Sequence, residues 1–83
     1  MMRALFFGQA ECLGRPVYYE LLAEELEGEK ECYGLRVRYG EETAEVRDLT
    51  SSQRRIQELL EVLIRGAVTP VALDGVVEDW LLE

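Results

Sequence analysis

Residues 56–81, IQELLEVLIRGAVTPVALDGVVEDWL, decide the fold of this chain. They contain two apolar sets with the same i, i+3, i+4, i+7, i+8 spacing: Ile56, Leu59, Leu60, Leu63 and Ile64, then Leu73, Val76, Val77, Trp80 and Leu81. That spacing winds one apolar stripe onto one side of an α-helix. The pattern predicts two amphipathic helices that share a core, with Trp80 largely buried.

The ends of both helices have signals of their own. Thr50 can cap the first helix while Gln53, three positions later, reaches back in a capping box. Gly66 then ends this helix in the left-handed conformation that is common after a last turn. Thr69 caps the second helix, and Pro70 takes the first helical position, where a missing N–H costs nothing. We expect helices over residues 50–66 and 69–82.

The clearest strand lies before the helices. Residues 33–39 alternate between larger apolar side chains, at Tyr33, Leu35, Val37 and Tyr39, and Gly or Arg, which is the two-residue period of a strand with one buried face. Turn-like residues at 28–30 and 40–42 flank it, so we expect antiparallel neighbours at residues 17–27 and 43–48. A helix that begins at Pro16 is the competing interpretation of residues 17–27, but the run Val-Tyr-Tyr at 17–19 favours a strand.

The first fifteen residues give the weakest signal. Residues 4–7 are apolar enough for a short strand, but Gly8, Gly14 and Pro16 interrupt anything longer. We expect a weakly ordered segment or an edge here. The chain as a whole, residues 1–83, is then one α+β domain: a three-stranded antiparallel meander at 17–48, followed by a helical hairpin packed on one sheet face.

The sheet face opposite the helices is predicted to be only half polar. Tyr18, Leu22 and Leu26 would lie there among Glu20 and Glu24. We expect the amino-terminal segment or a second copy of the chain to cover this face, and we assign Tyr18, Leu22 and Leu26 as a candidate interface.

Composition excludes several classes of function. The chain has 17 acidic and nine basic residues, a formal charge of -8, which disfavours nucleic acid and anionic membrane surfaces as partners. The lack of a secretory or membrane-spanning apolar run favours a cytoplasmic location. With no histidine and only Cys12 and Cys32, which are best explained as partly buried thiols, we expect neither a metal or other cofactor nor enzymatic activity.

One polar cluster deserves a functional hypothesis. Arg54 and Arg55 lie in the first turn of the first helix, where positive charge opposes the helix dipole. Together with Arg47, Ser51 and Ser52 they form a candidate anion site. The competing interpretation is that the arginines pair with Glu58 or with carboxylates of the second helix.

Three segments resemble a known family: ECYGLRV at 31–37, VRDLTS at 46–51 and TPVALDGVVEDWL at 69–81. They are similar to the Tyr-Gly strand, the Asp-Ile-Ser-type helix start and the Val-Glu-Asp-aromatic-Leu helix of a small bacterial family of unknown function. The resemblance supports a strand at residues 17–27 and implies no activity. Family members often have a histidine near the position of Ala72, and this chain departs there.

These observations leave two functional hypotheses. The first is a non-enzymatic interaction module that self-associates or docks another protein through the half-apolar sheet face or the acidic surface of the second helix. The alternative is a regulatory domain that senses a small anion at the start of the first helix.

Overall fold

The computed structural model describes residues 1–28 and 30–82. Glu29, which falls in the turn predicted at 28–30, and Glu83, which falls in the predicted domain 1–83, lie outside the described residues. The elements follow in the order β1 (Met2–Cys12), β2 (Arg15–Leu26), β3 (Lys30–Tyr39), β4 (Glu42–Thr50), α1 (Gln53–Arg65) and α2 (Pro70–Leu81). All neighbouring strands are antiparallel, and the sheet order is β1-β2-β3-β4. The predicted α+β class is confirmed, but the prediction of three strands is wrong because the sheet has four.

The additional strand is β1, which lies at an edge of the sheet, one of the two alternatives expected for the first fifteen residues. The sequence pattern conceals its length. The register of β1 against β2 shifts between Phe6 and Gly8, so a bulge at Phe7 interrupts the alternation that marks a strand. The turn that follows contains Leu13 and Gly14, both with positive φ, as a two-residue turn between antiparallel strands requires. Leucine rarely adopts this conformation, so the sequence does not signal the hairpin.

The core lies between one sheet face and the two helices. The β2 residues that face the helices are Val17, Tyr19, Leu21 and Ala23, which alternate with those predicted for the opposite face. They are buried with residues of β3, α1 and α2, namely Tyr33, Leu35, Val37, Ile56, Leu59, Leu60, Leu63, Leu73 and Val77. Each fully buried leucine or isoleucine contributes roughly 1.5–3 kcal/mol of transfer free energy. Helix α1 supplies more of this core than α2.

One hydrogen bond ties the sheet to the connection between the helices. The hydroxyl of Tyr19, which is itself buried, donates to the carbonyl oxygen of Val68 at 2.8 Å. This bond satisfies a polar group that would otherwise be costly inside the core. Burial, with a smaller contribution from Cys12, raises the pKa of Tyr19 to about 12.

Both ends of α1 differ from the prediction. The N-cap is Ser52 rather than Thr50: the Ser52 hydroxyl accepts the backbone N–H of Arg55 at 3.2 Å. Thr50 ends β4, and its hydroxyl accepts the N–H of Ser52 at 3.1 Å.

At the carboxyl end of α1, Gly66 has φ −91°, and the left-handed residue is Ala67, with φ 48°. The Ala67 and Val68 N–H groups bond back to the Ile64 and Leu63 carbonyls, which is a Schellman motif.

Helix α2 begins as predicted but buries less of its stripe. Thr69 stands at the N-cap position and Pro70 is the first residue, but the Thr69 side chain makes no capping hydrogen bond. Leu73 and Val77 are buried, whereas Trp80 is only half-buried and Leu81 is 56% exposed. The expectation that Trp80 is largely buried is therefore wrong, because α2 covers the margin of the sheet beside β4 and β3.

Gly34 marks a place where β3 and β4 approach closely. The register between these strands shifts between Tyr33 and Leu35. A Cβ atom at Gly34 would collide with the Val46 carbonyl oxygen and would lie 2.8 Å from Arg47 Cα. Both neighbours are backbone atoms, so neither can move aside without distorting β4.

We expect Gly34→Ala to destabilise the protein by about 1–3 kcal/mol, because it overpacks a rigid contact. Gly75→Ala is the matched control: Gly75 lies within α2, with no atom within 4 Å of an added Cβ. This second variant should gain about 0.5–1 kcal/mol because alanine favours a helix. Urea unfolding followed by circular dichroism measures both, and equal midpoints for the two variants would contradict the account of Gly34.

Candidate functional site

The two edge strands of the sheet differ in charge. Strand β4 contains Glu42, Glu45, Arg47 and Asp48, and Asp48 has φ 58° within its irregular stretch. Such charges and bulges prevent an edge from pairing with another chain. Strand β1 is longer, with 11 residues, and residues 4–10 include no charged side chain. Its outer edge is therefore the better template for an added strand.

The central residues of β1 are also exposed. Leu5 is 50% exposed and lies on the helix side of the sheet, opposite Leu21. Phe6 is 64% exposed and lies on the helix-free side, opposite Glu20. The bulge at Phe7 twists the strand between its two halves. An added strand would thus meet apolar side chains on both sides of the sheet.

A pocket of about 250 Å³ lies beside β1 on the helix side, near the start of α1. Its apolar walls include Leu5, Phe7, Leu21 and Ala23, and its polar rim consists of Arg3, Glu31, Tyr33, Gln53 and Gln57. Arg3 pairs with Glu31 at 2.8 Å, and the Tyr33 hydroxyl donates to the same carboxylate at 2.7 Å. That hydrogen bond and burial raise the pKa of Tyr33. The rim charges therefore neutralise each other.

The amino-terminal segment does not cover the helix-free face, because β1 extends the sheet sideways. Of the three residues predicted as an interface there, Leu22 is 2% exposed, Tyr18 is half-buried and Leu26 is 45% exposed. Leu22 therefore offers a partner almost no surface. The exposed large apolar side chains of this face include Phe6 of β1 and Leu26 at the end of β2.

Charged side chains form a ladder across the other half of the helix-free face. Glu20 Oε1 lies 3.1 Å from Arg38 Nε and 3.7 Å from Arg36 Nη1. Glu45 in turn accepts from Arg36 Nε at 3.2 Å and from Arg47 Nε at 2.9 Å. Hydrogen bonds from Arg47 and Arg36 lower the pKa of Glu45. The ladder links β2, β3 and β4 and gives that half of the face a polar surface.

The structure gives each arginine of the candidate anion site a different partner. Arg47 belongs to the ladder, Arg54 pairs with Glu58 at 3.3 Å, and Arg55 stacks on Trp80 with 4.5 Å to the ring centroid. Ser52 is the cap of α1, and Ser51 is exposed. The Arg54–Glu58 pair agrees with the competing interpretation, in which the arginines pair with carboxylates. Because each of the three arginines has a different partner, their charges are not gathered around one point.

A family model described as a family of unknown function, DUF6514, matches residues 9–83. The chain belongs to this family. The resemblance drawn from the sequence is confirmed at the level of a family without an assigned role. Neither the curated proteins nor the solved structures contain a match to the chain. The match to DUF6514 begins within β1, after Leu5 and Phe6, and includes all later elements.

In the part of this DUF6514 chain that the structure describes, no three Cys, Asp or Glu side chains are grouped as metal binding would require. Within the same residues, neither helix combines the length and the apolar character of a bilayer-crossing segment.

Both cysteines are free, with Cys12 half-buried and Cys32 buried, as the composition predicts. The Cys32 thiol donates a hydrogen bond to the carboxylate of Asp48, the residue of β4 with positive φ. This bond, burial and the nearby negative charge raise the pKa of Cys32. The folded protein therefore holds the thiol proton more tightly than the unfolded chain does. The resulting stabilisation is complete below the ordinary thiol pKa of about 8.5 and is lost at higher pH.

We expect iodoacetamide at pH 8 to alkylate Cys12 well before Cys32, because the thiolate is the reactive form and Cys32 is buried with a raised pKa. Mass spectrometry of digested protein after timed labelling measures the two rates. Asp48→Asn should accelerate labelling of Cys32, since it removes the carboxylate and asparagine tolerates positive φ. Equal alkylation rates for Cys12 and Cys32 in the folded protein would contradict the buried, hydrogen-bonded state described for Cys32.

Proposed function

We propose that this chain is a non-enzymatic protein-interaction module that self-associates by pairing β1 with β1 of a second copy. The observation that carries this proposal is the open edge of β1, which is uncharged over residues 4–10 and exposes Leu5 and Phe6. An edge strand of this kind offers a row of unpaired N–H and C=O groups to another strand. The dimer would contain one continuous eight-stranded sheet.

Charge placement along β1 favours a second copy as the occupant. Arg3 lies near one end of the strand and Glu11 near the other. Two copies related by a two-fold axis pair antiparallel, so that the uncharged residues 4–10 of one copy lie along those of the other. Arg3 keeps its partner Glu31, at 2.8 Å, within its own copy. The net charge of -8 on each copy opposes association, but charges beyond about 8 Å are largely screened at physiological ionic strength. The middle of the shared edge contains no charge of its own.

The surroundings of β1 add apolar contacts to the backbone pairing. On the helix side, the pocket lined by Leu5, Phe7 and Leu21 lies beside the strand that would be added. On the helix-free side, Phe6 is available to the partner. In strand addition, backbone hydrogen bonds supply affinity and pockets for alternate side chains supply specificity. Strand β1 offers unpaired backbone groups along its edge and an apolar pocket beside it.

We expect the protein to be a concentration-dependent dimer and Phe6→Lys to be a monomer, because a lysine on an edge strand blocks pairing. Sedimentation velocity across a concentration series distinguishes the 9.5 kDa chain from twice that mass. Phe6 is 64% exposed in the single chain, so its replacement should leave the fold intact.

Val71→Lys is the matched control, since Val71 is 80% exposed and lies on α2, away from β1. It should dimerise like the parent protein. Circular dichroism melting verifies that both variants fold. A parent protein that stays monomeric at millimolar concentration, or a loss of the dimer in both variants, would rule out pairing through β1.

A further inference from the structure

A second pocket, of about 210 Å³, lies at the end of the sheet where the β1–β2 and β3–β4 turns meet. It is lined by Arg15, Pro16, Tyr18, Arg38 and Gly40. We infer that this pocket binds a small oxyanion of the phosphate class between the guanidinium groups of Arg15 and Arg38. The site is separate from the β1 edge and from the cluster at the start of α1.

Arg15 is held over the pocket by its neighbours rather than by an ion pair. Its guanidinium carbon lies 5.2 Å from the centroid of the Tyr39 ring. In the part of the chain that the structure describes, no carboxylate lies within ion-pair distance of Arg15. Gly40, with φ 61°, leaves room for this side chain, because a Cβ there would touch Arg15 Nη2. The positive charge of Arg15 is therefore placed but not neutralised.

Arg38 forms the second wall of the pocket. Its guanidinium carbon lies 5.8 Å from the centroid of the Tyr18 ring, and its Nε lies 3.1 Å from Glu20. Glu20 is shared with Arg36, so one carboxylate serves two cations. A guanidinium has five N–H donors, and a single carboxylate contact on Nε does not occupy them all. The pocket lining thus contains two arginines and no carboxylate, in a chain of net charge -8.

This arrangement favours a compact dianion. Each guanidinium is a planar fork that binds two oxygens of phosphate or carboxylate at once. Two forks on different strands best match a ligand whose oxygens point in several directions, as those of a phosphate group do. The pocket, of about 210 Å³, is large enough for one phosphate group. Glu11 and Glu42 lie opposite Pro16 and Tyr39 in the strand register and weaken anion binding, so we expect millimolar affinity.

The test is a titration with inorganic phosphate at constant ionic strength, followed by ¹H–¹⁵N NMR. We expect saturable chemical-shift changes at Arg15, Tyr18, Gly40 and the Arg38 side-chain N–H.

Arg15→Gln and Arg38→Gln should each weaken phosphate binding about tenfold, since each removes one charged guanidinium. Arg65→Gln, which alters an exposed arginine in the last turn of α1, is the control and should leave the affinity unchanged. A parallel titration with phenyl phosphate shows whether free phosphate or a phosphate ester binds more tightly.

Three results would overturn the inference: no saturable shift at millimolar phosphate, shifts centred on residues 47–55, or equal weakening in all three variants. The second of these would support the cluster at the start of α1 instead. Because the titration is made on the full chain and does not depend on its oligomeric state, its outcome is independent of the test of β1 pairing.

Discussion

Burial of one sheet face beneath α1 and α2 is the constraint on which the remaining features depend. Sheets in α+β proteins are stable when a helix layer covers their apolar side. Here α1 contributes four fully buried residues, and the Tyr19–Val68 hydrogen bond fixes the helix connection over β2. Since only one face is covered in this way, the ion-pair ladder and the exposed Phe6 both belong to the other face. The surfaces proposed for binding are therefore ones that the helices leave open.

The elements that the sequence predicts best are those whose pattern matches one regular period. The stripe from Ile56 to Leu63 and the alternation from Tyr33 to Tyr39 each produce the expected element. At residues 1–15 the sequence predicts no more than a short strand or an edge. The full length of edge strand β1 escapes prediction because its bulge at Phe7 breaks the period and because a leucine occupies a left-handed turn position. The left-handed residue after α1 is similarly an alanine rather than the adjacent glycine. Local preferences are overruled at these positions by the geometry of the connections.

The candidate sites depend on contacts that a linear pattern does not contain. Arg47, Arg54 and Arg55 are close in sequence, yet the turn at Ser51 and Ser52 directs them to separate partners. Arg15 and Arg38 are 23 positions apart and meet only because β2 pairs antiparallel with β3. The edge position of β1 likewise follows from the strand order. The sequence signal that could have indicated the two-arginine pocket is a basic residue beside each of two turns, Arg15 after Gly14 and Arg38 shortly before Gly40.

The strand order, which repeats the order of the chain, has a consequence for biosynthesis. Each strand pairs with the one made immediately before it, so the hairpins can close one after another as the nascent chain leaves the ribosome. The apolar side of that growing sheet then has no cover until residues 53–81 have been translated. During this interval the exposed apolar surface makes the unfinished protein prone to aggregation. Chaperones or neighbouring nascent chains would contact Tyr19 and Leu35 before the helices cover these side chains.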